Sequence, residues 1–301
     1  MQYPAMDAFA APARAYPQLW RLLLGIVLAT VVYVLCFLLI LAALALTSGL
    51  DGAQTWIVRM GQATGPTGTL LLLATFLGMA LGPFAAARVV HRRPVATLFG
   101  PRQRSIHHFL VALVISAALF GLSALVPRDI AIQPNITPSL WLSFLPLALV
   151  GVLVQTGAEE ILFRGYLQQQ LAARFASPLI WMVLPSALFA MAHFDPATMG
   201  GNAWLIVAAT GLFGILAADL TAKTGSIGAA WGFHFANNVF AILLLSLDGP
   251  LSGLALYTTD FGPEAADVLR PLILIDMVVT GLVWAAIRVA LTRGSPPAIR
   301  I

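Results

Sequence analysis

Long apolar stretches alternate with short polar interruptions along this chain, and the stretches have the length of a bilayer crossing. A helix needs about 20 predominantly apolar residues to span the hydrocarbon. Eight segments fit that reading, at residues 19–47, 69–90, 109–126, 140–158, 178–193, 203–220, 225–246 and 271–292. The pattern predicts an all-α fold, a polytopic membrane helix bundle of about eight transmembrane helices. It divides the chain into an Ala/Pro-rich tail (1–18), a first set of spans (19–135), a core (136–250), and a last span with its tail (251–301). Both tails, 1–18 and 294–301, are expected to be mobile.

Composition strengthens the membrane reading and removes alternatives. Of 301 residues, 60% are hydrophobic and 9% charged, and the mean hydropathy is +0.91. A water-soluble globule of this length could not cover its surface with so few charges. The lone cysteine, Cys36, falls inside the first apolar segment, so it forms no intramolecular disulfide and reads as packing. That segment is too long for a signal-peptide core and is expected to be retained. "GMALG", Gly78 to Gly82, fits the small-xxx-small pattern of close helix pairs.

Charge distribution orients the bundle. With the N-terminus in the cytoplasm, Arg14, Arg21, Arg88, Arg92, Arg93, Arg102, Arg104, Arg164, Arg174, Lys223, Arg288, Arg293 and Arg300 fall on the cytoplasmic side. Only Arg59, Arg128 and Arg270 fall opposite, beside Asp51, Asp129, Asp248, Asp260, Glu264 and Asp267. Eight spans with both termini cytoplasmic satisfy the positive-inside rule. The loop "HRRPVATLFGPRQRSIHH" carries three of the five histidines and reads as a topology anchor that could also touch anionic lipid.

Polar residues inside the spans require a reason, because a charge at a helix centre costs about 2.5–3.5 kcal/mol even on lenient insertion scales. In "GAEEILFRGYL" (157–167), Glu160 and Arg164 lie at i and i+4 and can form an ion pair within their own helix. Glu159 is turned about 100° away. It is either a general base or has a structural partner elsewhere in the bundle. No strong breaker separates Pro146 from Phe175, whereas "ASP" at 176–178 is a turn signal. A hairpin with its tip near Ala176 brings Glu159 and His193 to one height, roughly 25 Å from the tip. "FAMAH" places Phe189 and His193 at i and i+4, with Asp195 capping the next turn. "HFANN" places His234 and Asn238 on one face of a later helix, at overlapping depth. Asp219 and Lys223 read as a helix-end ion pair, Asp276 as solvated, and Trp141, Trp181, Trp204 and Trp231 as interfacial anchors.

Taken together, "EEILFRGYL", "FAMAH" and "HFANN" resemble the motifs of the CPBP membrane proteins, which include the type II CAAX prenyl endopeptidases and the bacterial Abi relatives. All three occur in order within 80 residues, and the resemblance covers roughly 140–246. It implies an intramembrane glutamate-type endopeptidase, with Glu159 as the base that activates water and His193 positioning that water. His234 and Asn238 would stabilise the oxyanion; Glu160, Arg164 and Phe189 would be supports. The expected partners are the lipid bilayer and a membrane-associated or lipidated peptide or protein, with no nucleic acid, and the expected location is a bacterial inner membrane. No cofactor or metal is expected: Glu159, His193 and His234 could be imagined around zinc, but there is no H-E-x-x-H and a liganded Glu159 would leave no base. A zinc protease, a transporter and a silent scaffold or immunity protein are the competing readings.

Overall fold

The computed structural model describes residues 3–127 and 129–293. Arg128 and the exit at 294–301, including Arg300, lie outside the described residues. Eleven helices occur among them: α1 (Pro4–Ala10), α2 (Leu19–Gln62), α3 (Pro66–Ala85), α4 (Arg102–Ala124), α5 (Pro138–Glu160), α6 (Gln169–Arg174), α7 (Leu184–Met191), α8 (Pro196–Met199), α9 (Ala203–Thr224), α10 (Gly228–Val239) and α11 (Ala266–Arg293). The bundle is all-α in its spans, as the apolar pattern predicts. Six stretches are long and apolar enough to cross a membrane: Leu19–Gln62, Pro66–Val90, Val95–Ala124, Pro138–Arg174, Pro196–Thr224 and Ala266–Leu291. The remaining two expected segments form shorter helices, Leu179–Met191 and α10 with its π continuation Phe240–Leu244.

Helix boundaries follow local chemistry. α2 runs well past the expected end at residue 47 and bends at Gly49, whose φ of 73° only glycine adopts without strain. α5 starts at Thr137, whose side chain accepts from Leu140 N, with Pro138 as the first helical residue. It then continues without a break through a π segment, Ile161–Gln168, into α6. The turn at 175–178 follows, so the predicted hairpin is present. Its end of the molecule, with the 91–101 loop and the α9–α10 turn, is the tip end; the other is the cap end.

Three features depart from the sequence reading. The N-terminal tail is docked rather than loose: Met6, Phe9 and Ala10 of α1 are buried, because an apolar face at i, i+3, i+4 packs against the hairpin. A small three-stranded sheet closes the cap end, β1 (Ile132–Pro134), β2 (Leu245–Ser246) and β3 (Tyr257–Thr259), in the order β1-β3-β2. β1 pairs with β3 antiparallel and β2 with β3 parallel; segments this short carry no strand periodicity. Trp181, which is buried, and Trp231, which is half-buried, pack into the bundle instead of standing on its outer surface. Each indole N–H donates to a carbonyl within the bundle, Trp181 to Ala176 O (3.4 Å) and Trp231 to Leu153 O (3.2 Å), which removes the need for an interfacial partner.

Glycines set the close approaches that bring the site helices together. A Cβ on Gly157 would sit 2.6 Å from the Trp231 ring, and one on Gly232 would sit 2.2 Å from Phe109 O. α10 is thereby wedged between α5 and α4. The Gly78/Gly82 pair packs α3 on α2 in the same way, against Cys36 and Ala29.

Candidate active site

The three motifs meet around one buried ion cluster. Arg164 donates from Nη1 to Glu160 Oε1 at 2.9 Å, the i, i+4 pair predicted from spacing. His234 reaches the same oxygen from α10, its Nδ1 lying 2.7 Å from Oε1. The other imidazole nitrogen, Nε2, lies 3.3 Å from Glu159 Oε2. That second contact has ion-pair distance without hydrogen-bond alignment, and Oε2 is left without a directed donor among the described residues. Glu159 therefore has a charge partner and an unused lone pair at once.

Burial makes these contacts strong. Glu160 and Arg164 are at most 1% exposed, and Glu159 and His234 less than a tenth. Low dielectric makes each ion costly alone and favourable only in a satisfied network. Arg164 extends the network by donating from Nη2 to Gly214 O of α9 (3.2 Å), while Oε2 of each glutamate is left without a directed donor among the described residues. Its guanidinium also stacks 4.9 Å from the Phe189 ring centre and 5.9 Å from that of Phe213, cation–π contacts that suit a planar guanidinium. One arginine thus ties α5, α7 and α9 together.

Phe189 is the hub between the motifs. Its ring lies 4.7 Å from His193, 6.0 Å from His234 and 5.2 Å from Phe163, centre to centre. His193 lies just past the end of α7 and is half-buried. Its Nδ1 donates to Phe189 O at 2.8 Å. A carbonyl can only accept, so Nδ1 carries the proton and the lone pair of the neutral ring is on Nε2. Asp195 caps α8, accepting from Thr198 N at 3.1 Å, as its position before proline predicts.

Asn238 belongs to the same face of α10 but is engaged by a residue the sequence reading passed over. Its Nδ2 donates to Gln155 Oε1 at 2.8 Å. Gln155 precedes Glu159 by one helical turn on α5 and is buried. The available signal was a polar residue at i−4 from a charged one in an otherwise apolar run. The structure therefore brings Glu159, Glu160, Arg164 and His234 into direct contact. Asn238 stands one turn away, and His193 is linked through Phe189.

Two expectations about other polar residues change. Asp219 does not pair with Lys223: it meets Arg288 Nε at 3.4 Å and accepts from Trp284 Nε1 at 3.1 Å, both on α11. Lys223 instead lies 4.6 Å over the Tyr3 ring, since the docked N-terminus offers it an aromatic face. A hollow of about 580 Å³ between α1 and the hairpin tip, lined by residues that include Tyr3, Arg14, Arg174 and Trp181, contains none of the motif side chains. Among the described residues, no three His, Cys, Asp or Glu side chains are grouped to hold a metal ion, and both ring nitrogens of His234 face carboxylates.

Comparison with known proteins points to the same helices. The chain is 28% identical over 253 residues to YyaK of Bacillus subtilis (strain 168), a protein described as uncharacterized; the match covers 80% of this chain and 83% of YyaK. No solved structure matches the chain. Residues 139–240, from the start of α5 to just past Asn238, match the family model for Rce1-like, type II CAAX prenyl endopeptidases. That interval holds all the motif residues and the helices that carry them. Over this interval the chain is similar to CAAX-type intramembrane proteases, which supports a peptidase acting on a peptide or protein, and its long apolar helices support a multi-pass membrane protein.

Proposed function

We propose that this peptidase uses Glu159 as a general base to direct water at a peptide carbonyl, without a metal. The observation that carries the reading is the buried Glu159–His234–Glu160–Arg164 chain of contacts. Glu160 Oε1 is shared by Arg164 and His234 Nδ1 and the residue is fully buried, so although its Oε2 also lacks a donor among the described residues it serves as an anchor and not as a base. Glu159 is one residue away, with an oxygen free to take a proton. In the proposed step, Glu159 removes a proton from water as the water oxygen bonds to the carbonyl carbon. The carbonyl π electrons move to oxygen, giving a tetrahedral oxyanion. Collapse restores the carbonyl and breaks the C–N bond, and the proton held by Glu159 passes to the leaving amine.

His193 Nε2, carrying the lone pair, positions the water from the Phe189 side. His234 and Asn238 receive the oxyanion. A donor role at His234 Nε2 requires the imidazolium form, since Nδ1–H is committed to Glu160; the two flanking carboxylates balance that charge. A positioned base contributes about 10²–10⁴ in rate, and each oxyanion donor about 10²–10³. The substrate we propose is a membrane-associated or lipidated peptide, and the setting a bacterial cytoplasmic membrane with both termini inside. The arginine asymmetry and the Bacillus relative support that setting. The test is cleavage of a quenched prenylated peptide, and of an unmodified apolar one, by purified protein. Glu159→Gln and His193→Ala should lose turnover with an unchanged melting temperature. Cleavage that survives Glu159→Gln removes the base assignment.

A further inference from the structure

α5 and α10 face each other as antiparallel helices joined by two rungs. One is Glu159 with His234 (3.3 Å), the other Gln155 with Asn238 (2.8 Å). Each helix steps by four residues between rungs, about 6 Å of rise, so a carbonyl attacked beside Glu159 lies next to the amide rung. We propose that Gln155 is a positioning residue of the oxyanion site, acting through Asn238. The inference rests on the reading of Asn238 as an oxyanion donor and names what makes it one.

The physical argument concerns the orientation of an amide. An asparagine side chain turned one way offers an N–H to an anion, and turned the other way a carbonyl oxygen that repels it. Two contacts hold Asn238 in the productive orientation. Its Oδ1 accepts from Asn237 Nδ2 (3.3 Å), and its Nδ2 gives one proton to Gln155 Oε1. The second Nδ2 proton is then fixed in the amide plane, directed away from Gln155. Among the described residues it has no acceptor, so it is available to the oxyanion without reorganisation. Preorganised donors of this kind carry most of the stabilisation an oxyanion site provides. Gln155 is 7% exposed and is carried on the rigid helix that also carries Glu159, so the base and the donor are held by one element.

The test uses full-length protein in detergent with a quenched prenylated peptide. Gln155→Leu is close in size and suits an apolar helix. It should lower kcat about 10-fold to 100-fold, within what one oxyanion donor contributes, and leave KM and the melting temperature in place. Combined with Asn238→Ala it should cost no more than Asn238→Ala alone, because Gln155 acts only through that amide. The exchanged pair, Gln155→Asn with Asn238→Gln, keeps the summed length of the rung and should recover most of the loss, which also covers a Gln155→Leu protein that fails to fold. Wild-type kcat in Gln155→Leu, or losses that multiply in the double variant, would overturn the inference while Glu159→Gln remains dead. Full activity in Asn238→Ala or in Glu159→Gln would instead overturn the underlying reading of the site.

Discussion

Two buried polar networks lie on the same helix, and they are built from different chemistry. At the site, Glu159, Glu160, Arg164 and His234 are ionisable groups matched against one another. Toward the tip, Arg93 is also buried, yet its partners are neutral. It donates to Gln169 Oε1 and to Thr97 Oγ1 (2.9 Å), and among the described residues no carboxylate pairs with it. Gln169 in turn donates to Phe9 O (2.7 Å) and Thr97 O (2.8 Å), and Gln168 donates to Ala218 O (3.0 Å). His91 Nδ1 lies 2.9 Å from Gln170 Nε2 and 3.3 Å from Tyr16 O, and its Nε2 lies 2.9 Å from the Tyr166 hydroxyl.

The difference teaches what each network does. Amides and hydroxyls present fixed dipoles, which is what a socket for the N-terminal helix needs. The motif cluster instead sets two carboxylates against a guanidinium and an imidazole, groups that can carry or release charge, which is what the proposed hydrolysis would use. Burial alone does not separate the two, since Arg93 is 4% exposed and Arg164 1%; the identity of the partner does.

Breaking the ionic network should have the larger effect. Arg164→Ala strands Glu160 in the bundle, and losing one partner of a buried pair costs about 3–5 kcal/mol. A drop in melting temperature together with loss of cleavage is expected, both read on detergent-purified protein. Breaking the amide network should cost less and act on stability alone. Gln169→Leu removes the bond from Arg93 and releases Phe9 O and Thr97 O, for about 1.5–3 kcal/mol. Melting temperature should fall while kcat is retained, and proteolysis within residues 4–15 should become faster.

The smallest effect sharpens the contrast through pH. Burial first, then the neighbouring Arg93 and Arg21 charges, push His91 from its ordinary value near 6.5 down to about 4. The folded protein thus holds His91 neutral where the unfolded chain would protonate it. Its contribution is fully present above about pH 6.5 and is lost as pH falls from there through about 4. A melting-temperature series across that window should slope downward toward acid, and His91→Gln should flatten the slope without changing turnover at neutral pH.

What could be read from the sequence was whatever repeats at helical spacing. Glu160 and Arg164, Phe189 and His193, and His234 and Asn238 each share a helix face, and the turn at 176–178 is a local signal, so each pair and the hairpin follow from short-range geometry, whereas the contact of His234 with Glu160 joins residues 74 apart. Gln155 has a local mark, a polar residue one turn before Glu159 in an apolar run, but its partner Asn238 is 83 positions away and no local pattern names it. The same holds for Asp219, whose partner comes from α11 rather than from the next turn. The N-terminal helix looked like a tail because seven residues carry little propensity of their own; its order comes from the socket. The cap sheet was invisible because strands of two or three residues have no period to detect.

The central claim is a division of labour between adjacent carboxylates, and Glu159→Gln measured beside Glu160→Gln tests it most directly. Turnover and melting temperature should separate the two: Glu159→Gln inactive with wild-type stability, Glu160→Gln destabilised because Arg164 and His234 lose the negative charge they share. Cleavage at the wild-type rate by Glu159→Gln, or two variants with the same loss of stability, would contradict it.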